Sequence, residues 1–304
     1  MALLRLGCSQ VDVMDGQRPR RGADRVIRNV GKTHQKGLKH ALSLDKISEQ
    51  APGLLSLAKT AVQAVDHSGL NGQKAKVALA LDFSGSMGRV YRSGAMQRLV
   101  EKSLALATQF DDDGAIDFFV FDSTAAYLGE ISIDDFAGSV DRLTKGRSMG
   151  STNYADAFLT IRNHFGFAPT GGAASVPQQK RGFFGFGKAQ PAATAPAVEA
   201  SKTPAEIPVY VLFLTDGAPD NQSKAVRALT EVSTAPIFWK FLSIGRESMV
   251  FLEKLDTLTD RFMDNANYEP IGDVDAISDA DLFKKMLTEF PDWLKEARTK
   301  NLIQ

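Results

Sequence analysis

Asp82, Ser84 and Ser86 occupy alternate positions in the turn DFSGS, directly after the apolar run VALAL. Three oxygen-bearing side chains in one turn suit a hard divalent cation. Mg²⁺ seeks near-octahedral oxygen coordination, gives up its waters reluctantly, and is usually held by one or two carboxylates. One carboxylate and two hydroxyls are an incomplete set, so the remaining oxygens must come from distant loops. Thr152 lies in MGSTNYADAF, where Gly150 permits close backbone approach and Ser151 or Asn153 can start the helix that follows. Asp216 ends a second apolar run, VYVLFLTDG, with Gly217 next to it. Asp82 and Asp216 therefore stand in equivalent places, each just past a run that reads as a buried parallel strand. Ligand crevices open at that edge of an α/β sheet.

The elements that must position these residues alternate along the chain. The pattern predicts strands over 77–82, 116–121, 208–214 and 237–244, an edge strand near 125–132 and a short strand near 261–264. Helices are expected over about 92–110, 134–142, from Thr152 to His164, and over 221–232, 248–258 and 279–299. Met96, Leu99, Val100, Ser103, Ala107 and Phe110 recur at three- and four-residue steps and should lie on the sheet. Phe283, Met286, Leu287, Phe290 and Leu294 make a similar stripe, with Pro291 starting or bending a segment and Trp293 as a core anchor. Residues 42–66 are ambiguous. Strands alternating with helices imply an α/β fold: a doubly wound, mostly parallel central sheet flanked by helices.

The DxSxS turn, the later Thr in a Gly-Ser-Thr-Asn loop and the TDG after an apolar strand together resemble the metal-ion-dependent adhesion site of von Willebrand factor A domains. The resemblance covers roughly residues 74–300. It implies that Asp82, Ser84, Ser86, Thr152 and Asp216 hold the metal, Mg²⁺ first, with Mn²⁺ and Ca²⁺ as alternatives. It also implies that a Glu or Asp of a protein partner completes the coordination shell. FDDDGAIDFFVF, PIFWKFLSIG, FLEKLDTL, RFMDNANY and LTEFPDWLKEA are similar to the bacterial tellurium-resistance-associated, TerF-like group, and LSLDKISEQAPGL resembles the wider tellurium-resistance family. The implied setting is resistance to tellurite and other toxic ions, or a stress response.

Length and composition agree with a globular chain. With 304 residues, 43% hydrophobic and 24% charged, it can bury a sizeable core. Its charge is balanced, 36 basic against 36 acidic side chains, but residues 1–46 carry ten Lys or Arg against four Asp or Glu. A basic arm of this kind either contacts nucleic acid or an anionic membrane, or is a solvated tail. The expected organisation is a basic, partly disordered extension over 1–73 and a von Willebrand factor A domain over 74–304. Cys8 is the single cysteine, which excludes an internal disulfide and a cysteine-based zinc cluster. No apolar run approaches the roughly 18 residues that span a membrane, so a cytoplasmic protein without a transmembrane segment is expected.

Residues 168–206, rich in Ala, Pro, Gly and Ser, read as an insertion, and its centre KRGFFGFGK is either packed locally or a docking peptide. Asp111, Asp112 and Asp113 lack the alternating ligands of a calcium loop and read as a solvated turn. The four histidines, at 34, 40, 67 and 164, have no metal-binding spacing, and His164 reads as structural. Enzyme readings fare poorly. A dehalogenase-type phosphatase needs DxDx[TV], but Ser84 stands at its second acid. GxSxG fails around Ser86, and GxxxxGK[ST] is absent. The sequence thus points to a non-enzymatic, metal-dependent interaction module, with a Mg²⁺-dependent phosphoester enzyme as the alternative.

Overall fold

The computed structural model describes residues 41–111, 113–167, 204–245 and 249–304. Residues 1–40 of the extension expected over 1–73 and residues 168–203 of the insertion lie outside them. In chain order come α1 (Leu44–Gln50), α2 (Leu55–His67), β1 (Lys76–Asp82), α3 (Gly88–Arg92), α4 (Ala95–Ala107), β2 (Ala115–Phe121) and β3 (Ala125–Ser132). They are followed by α5 (Ser139–Thr144), α6 (Tyr154–His164), β4 (Val209–Thr215), α7 (Gln222–Val232), β5 (Ile237–Ile244) and α8 (Val250–Asp256). The chain closes with β6 (Ala266–Gly272), α9 (Asp279–Leu287) and α10 (Phe290–Thr299).

The six strands form one sheet in the order β3-β2-β1-β4-β5-β6, and only the β2–β3 pair is antiparallel. The chain builds outward from β1 to β3 on one side, then returns to lay β4 against the other side of β1. The sheet's topological switch point therefore falls between β1 and β4, where Asp82 and Asp216 emerge.

Burial on both faces explains why the strand sequences are continuously apolar. Val77, Leu79 and Leu81 of β1 join one hydrophobic layer with Tyr210, Leu212 and Leu214 of β4 and the inner faces of α2, α4, α9 and α10. Ala78 and Ala80 face the opposite layer with Val211, Phe213 and the inner faces of α6, α7 and α8. On that face Phe158 and Phe213, with ring centres 5.4 Å apart, pack the layer tightly. The helices α1 and α2, upstream of residue 74, belong to the first layer: Ile47, Ala58, Ala61 and Val65 are all buried in it.

Several boundaries differ from expectation for local reasons. The helix expected over 92–110 is interrupted at Ser93–Gly94, where Gly94 takes a left-handed φ of 75°. The helix expected at 134–142 starts five residues later because Asp135 is drawn into a turn by the Ser132 N–H and hydroxyl, at 2.9 and 3.0 Å. The strand expected near 261–264 is a loop closed by the Arg261–Asp264 ion pair at 2.7 Å. The sixth strand is instead ANYEPIG, whose Pro270 is tolerated because β6 is a sheet edge. Pro291 falls in the first turn of α10, and Trp293 is buried. Ala205, near the end of the expected insertion, bridges to Ile303 and so ties the lead into β4 to the C terminus.

Lys240 is fully buried in the middle of β5, an expensive place for an amine. Its Nζ donates to the Asn267 side chain of β6 and to the Thr288 carbonyl between α9 and α10, 3.4 Å away. Burial pushes its pKa down to about 7, against the opposing pull of Glu269, Glu289 and Asp256. Between that value and the unfolded value of about 10.4, the unfolded chain binds more protons than the folded one, so stability rises with pH. The full cost of burial is present below the folded pKa. In urea melts, Lys240→Met is expected to reduce the gain in stability between pH 7 and pH 10 by on the order of 1–4 kcal/mol relative to the parent; an unchanged gain contradicts this account.

Candidate metal centre

Asp82 is the last residue of β1 and is fully buried. Its Oδ1 accepts the Ser84 backbone N–H at 2.8 Å, and its Oδ2 accepts the Thr215 hydroxyl at 2.7 Å. Burial pushes this carboxyl up to about 6; the bonds from Ser84 and Thr215 oppose the rise, and the charge of Asp216 adds to it. A buried carboxylate beside a second one is a place where a cation is electrostatically favoured.

Ser84 is extended, and a 3₁₀ turn at Gly85–Met87 follows it into α3. That turn brings the Ser86 hydroxyl to 3.0 Å from the Ser84 hydroxyl. The Ser86 Oγ also donates to Asp216 Oδ1 at 2.7 Å. Hydrogen bonds therefore join Asp82, Ser84, Ser86 and Asp216 into one cluster spanning the ends of β1 and β4. Asp216 is half-buried and Ser86 exposed, so the cluster opens to solvent on one side.

Thr152 arrives on a separate loop that lies along the DFSGS turn. Gly150 forms a parallel bridge with Ser84: the Gly85 N–H donates to the Gly150 carbonyl at 3.1 Å, and the Gly150 N–H to the Phe83 carbonyl at 3.2 Å. A side chain at 150 would not fit, because a Cβ there would lie 2.8 Å from Ser123 Oγ and 3.1 Å from Asp122 Cβ. Asp220, past the end of β4, clamps Thr152 from the other side. Its N–H donates to the Thr152 carbonyl at 2.9 Å, and its carboxylate accepts the Thr152 N–H at 3.2 Å. Thr152 is only 9% exposed, yet its hydroxyl has no hydrogen-bond partner among the described residues. Asn153 caps α6 by accepting the Asp156 N–H at 3.3 Å.

The donor set of two carboxylates and three hydroxyls fits a hard divalent cation: the carboxylates balance its charge, and the hydroxyls add oxygens without adding charge. No group of three or more His, Cys, Asp or Glu side chains positioned for a metal occurs among the described residues. A cation held here would therefore depend on Ser84, Ser86 and Thr152. The Thr152 hydroxyl makes no hydrogen bond among the described residues and is not sealed from solvent, so it is available as a further neutral oxygen donor.

Four supporting residues escape a reading of the sequence. Thr215 and Asp220 act as described. The Tyr91 hydroxyl donates to the Asp82 carbonyl at 3.1 Å, and the Tyr154 hydroxyl bonds Thr215 Oγ1 at 2.9 Å and the Gly217 carbonyl. Thr215 carried the one available signal, its place directly before Asp216. Elsewhere, His164 pairs with Asp117 at 3.2 Å and lies 4.3 Å from the Tyr127 ring, a structural role. Asp111 and Asp113 hold Lys76 at 2.5 and 2.8 Å, and Asp112 lies outside the described residues.

The profile of a family described as "vWA found in TerF C terminus" matches residues 74–303. The chain belongs to this von Willebrand factor A family. A relative from Bacillus subtilis (strain 168), "Uncharacterized protein YcbR", is 33% identical over 252 residues, covering 82% of this chain and 90% of its own length. Among solved structures, proximal thread matrix protein 1 from the mussel byssus with a zinc-occupied MIDAS motif matches at 14% identity and a TM-score of 0.41, covering 71% of this chain and 47% of that one. The chain thus spans about half the length of the mussel protein. The manganese-loaded Plasmodium vivax TRAP protein matches at 15% identity and a TM-score of 0.40, covering 72% of this chain and 73% of that one. The SpRpn10 VWA domain matches at 9% identity and a TM-score of 0.39, covering 72% and 96%.

Gly150→Ala is expected to destabilise the protein by about 1–3 kcal/mol in chemical denaturation and to displace the Thr152 loop, because the added methyl meets Ser123 and Asp122. Gly85→Ala, which points into open space, serves as the control and is expected to stay within about 0.5 kcal/mol of the parent. Equal effects of the two would contradict the close approach at Gly150.

Proposed function

We propose that this chain is a metal-dependent protein-interaction module. Asp82, Ser84, Ser86, Thr152 and Asp216 hold a divalent cation, with Mg²⁺ as the first choice and Mn²⁺ and Ca²⁺ as alternatives. When bound, the ion supplies an electrophilic position that a Glu or Asp of a protein partner completes. Asp82 would contribute charge from the end of β1, and the hydroxyls of Ser84, Ser86 and Thr152 would add oxygens without quenching the ion. Asp216, reached through Ser86, closes the set from the neighbouring strand. The single observation that carries this reading is the hydrogen-bonded convergence of the DFSGS turn on Asp216, with Ser86 Oγ 2.7 Å from Asp216 Oδ1.

Binding rather than turnover is favoured by the chemistry of the turn. Ser84 stands where an aspartyl phosphatase carries its second acid, and the Ser86 hydroxyl faces a carboxylate and another hydroxyl. At the level of the cell, we assign the module to tellurite and toxic-ion resistance or to a stress response, a reading supported by the description of its family alone. No described helix is long and apolar enough to cross a membrane.

Addition of Mg²⁺ is expected to raise the melting temperature of the parent protein. Asp216→Ala is expected to remain folded, because Asp216 is half-buried, and to lose that rise. Equal shifts in the two proteins would overturn the ligand assignment. Turnover of a phosphoester panel by the parent, lost in Asp216→Ala, would replace the binding reading with an enzymatic one.

A further inference from the structure

A hollow of about 270 Å³ lies beside the cluster, lined by Ala218, Gln222, Met249, Val250, Phe251 and Lys254. Ala218 follows Asp216 by two residues in the same loop, so the hollow adjoins the proposed metal centre along the carboxyl edge of the sheet. A shared support links them. The Phe251 ring lies 6.2 Å from the Tyr154 ring, and the Tyr154 hydroxyl props both Thr215 and the Gly217 carbonyl. The hollow is smaller than the roughly 300–1,000 Å³ of typical small-molecule sites, which favours a side chain of a larger partner over a free metabolite.

Two features define what that partner carries. Val250 is 76% exposed, the most exposed of the large hydrophobic side chains among the described residues, and with Met249 and Phe251 it gives the hollow an apolar wall. Lys254 lies one turn further along α8 on the same face, is exposed, and forms no ion pair or hydrogen bond among the described residues. An apolar wall with an uncommitted ammonium at its rim complements an apolar side chain accompanied by a carboxylate.

We propose that this hollow is a second subsite for the partner that completes the metal centre. It receives an apolar residue a few positions from the metal-binding Asp or Glu, while Lys254 pairs with a second acid of the same segment. The inference rests on the metal-dependent binding reading. It adds that the recognised segment is an acidic, hydrophobic peptide stretch rather than any exposed carboxylate.

The test selects a displayed library of random peptides, each with one fixed Asp, on the full chain in Mg²⁺ and elutes with EDTA. Enriched peptides are expected to share an apolar residue near the fixed Asp and a second acid. In fluorescence anisotropy, Val250→Glu and Lys254→Glu are each expected to weaken a selected peptide by about tenfold or more. Their Mg²⁺-induced thermal shift should match the parent's, because neither residue touches the metal cluster. EDTA-elutable peptides with no preference beside the Asp, or unchanged affinity in both variants, overturn the subsite and leave the metal reading standing. Binding that survives both EDTA and Asp82→Ala overturns the metal reading, and the present inference with it. Failure to enrich any peptide overturns the subsite. So does a self-association or an intramolecular contact of residues 168–203 that Val250→Glu dissolves, since the hollow would then be filled by this chain itself.

Discussion

The structure turns on one buried carboxylate. Asp82 lies at the end of the central strand, shielded from water, with its two oxygens committed to the Ser84 N–H and the Thr215 hydroxyl. A charge in that position needs compensation, and two hydrogen bonds supply only part of it, as the raised pKa records. The second carboxylate, Asp216, sharpens the demand rather than relieving it. The divalent cation proposed here would answer the imbalance, and the surrounding hydroxyls are the kind of donor such an ion accepts without excess negative charge.

Everything around Asp82 can be read as the means of holding that arrangement still. The sheet is apolar on both faces, so β1 and β4 are fixed in register, with Leu81 opposite Leu214, and their ends are delivered side by side. Tyr91 and Tyr154 pin the turns that follow the two strands, and the Gly150–Ser84 bridge brings the Thr152 loop alongside. Asp220 then locks that loop to the end of β4 through its own backbone and side chain. Ala218, two residues past Asp216 in the same loop, lines the neighbouring hollow.

Much of this was legible in the sequence because the decisive signals are local. DxSxS is contained in one turn, TDG marks a strand end, and buried strands announce themselves as apolar runs bounded by polar residues. What escaped is tertiary. Asp220 acts through the backbone of a residue in another loop, and Tyr154 looks like any core aromatic until its hydroxyl is seen beside Thr215. β6 lies later in the chain than the apolar pattern suggests because Glu269, Pro270 and Gly272 are poor strand formers, tolerated there by an edge that pairs on one side only. The segment 44–67 is ambiguous because the buried face of α2 consists of Ala58, Ala61 and Val65, and alanines mark a face only once α4 and α9 are packed against it.

The most direct test of the central claim is the position of a bound ion. Crystals grown with Mn²⁺ and measured at the manganese absorption edge should show an anomalous peak among the side-chain oxygens of Asp82, Ser84, Ser86, Thr152 and Asp216. A peak at another site, or none at saturating Mn²⁺, would contradict the account.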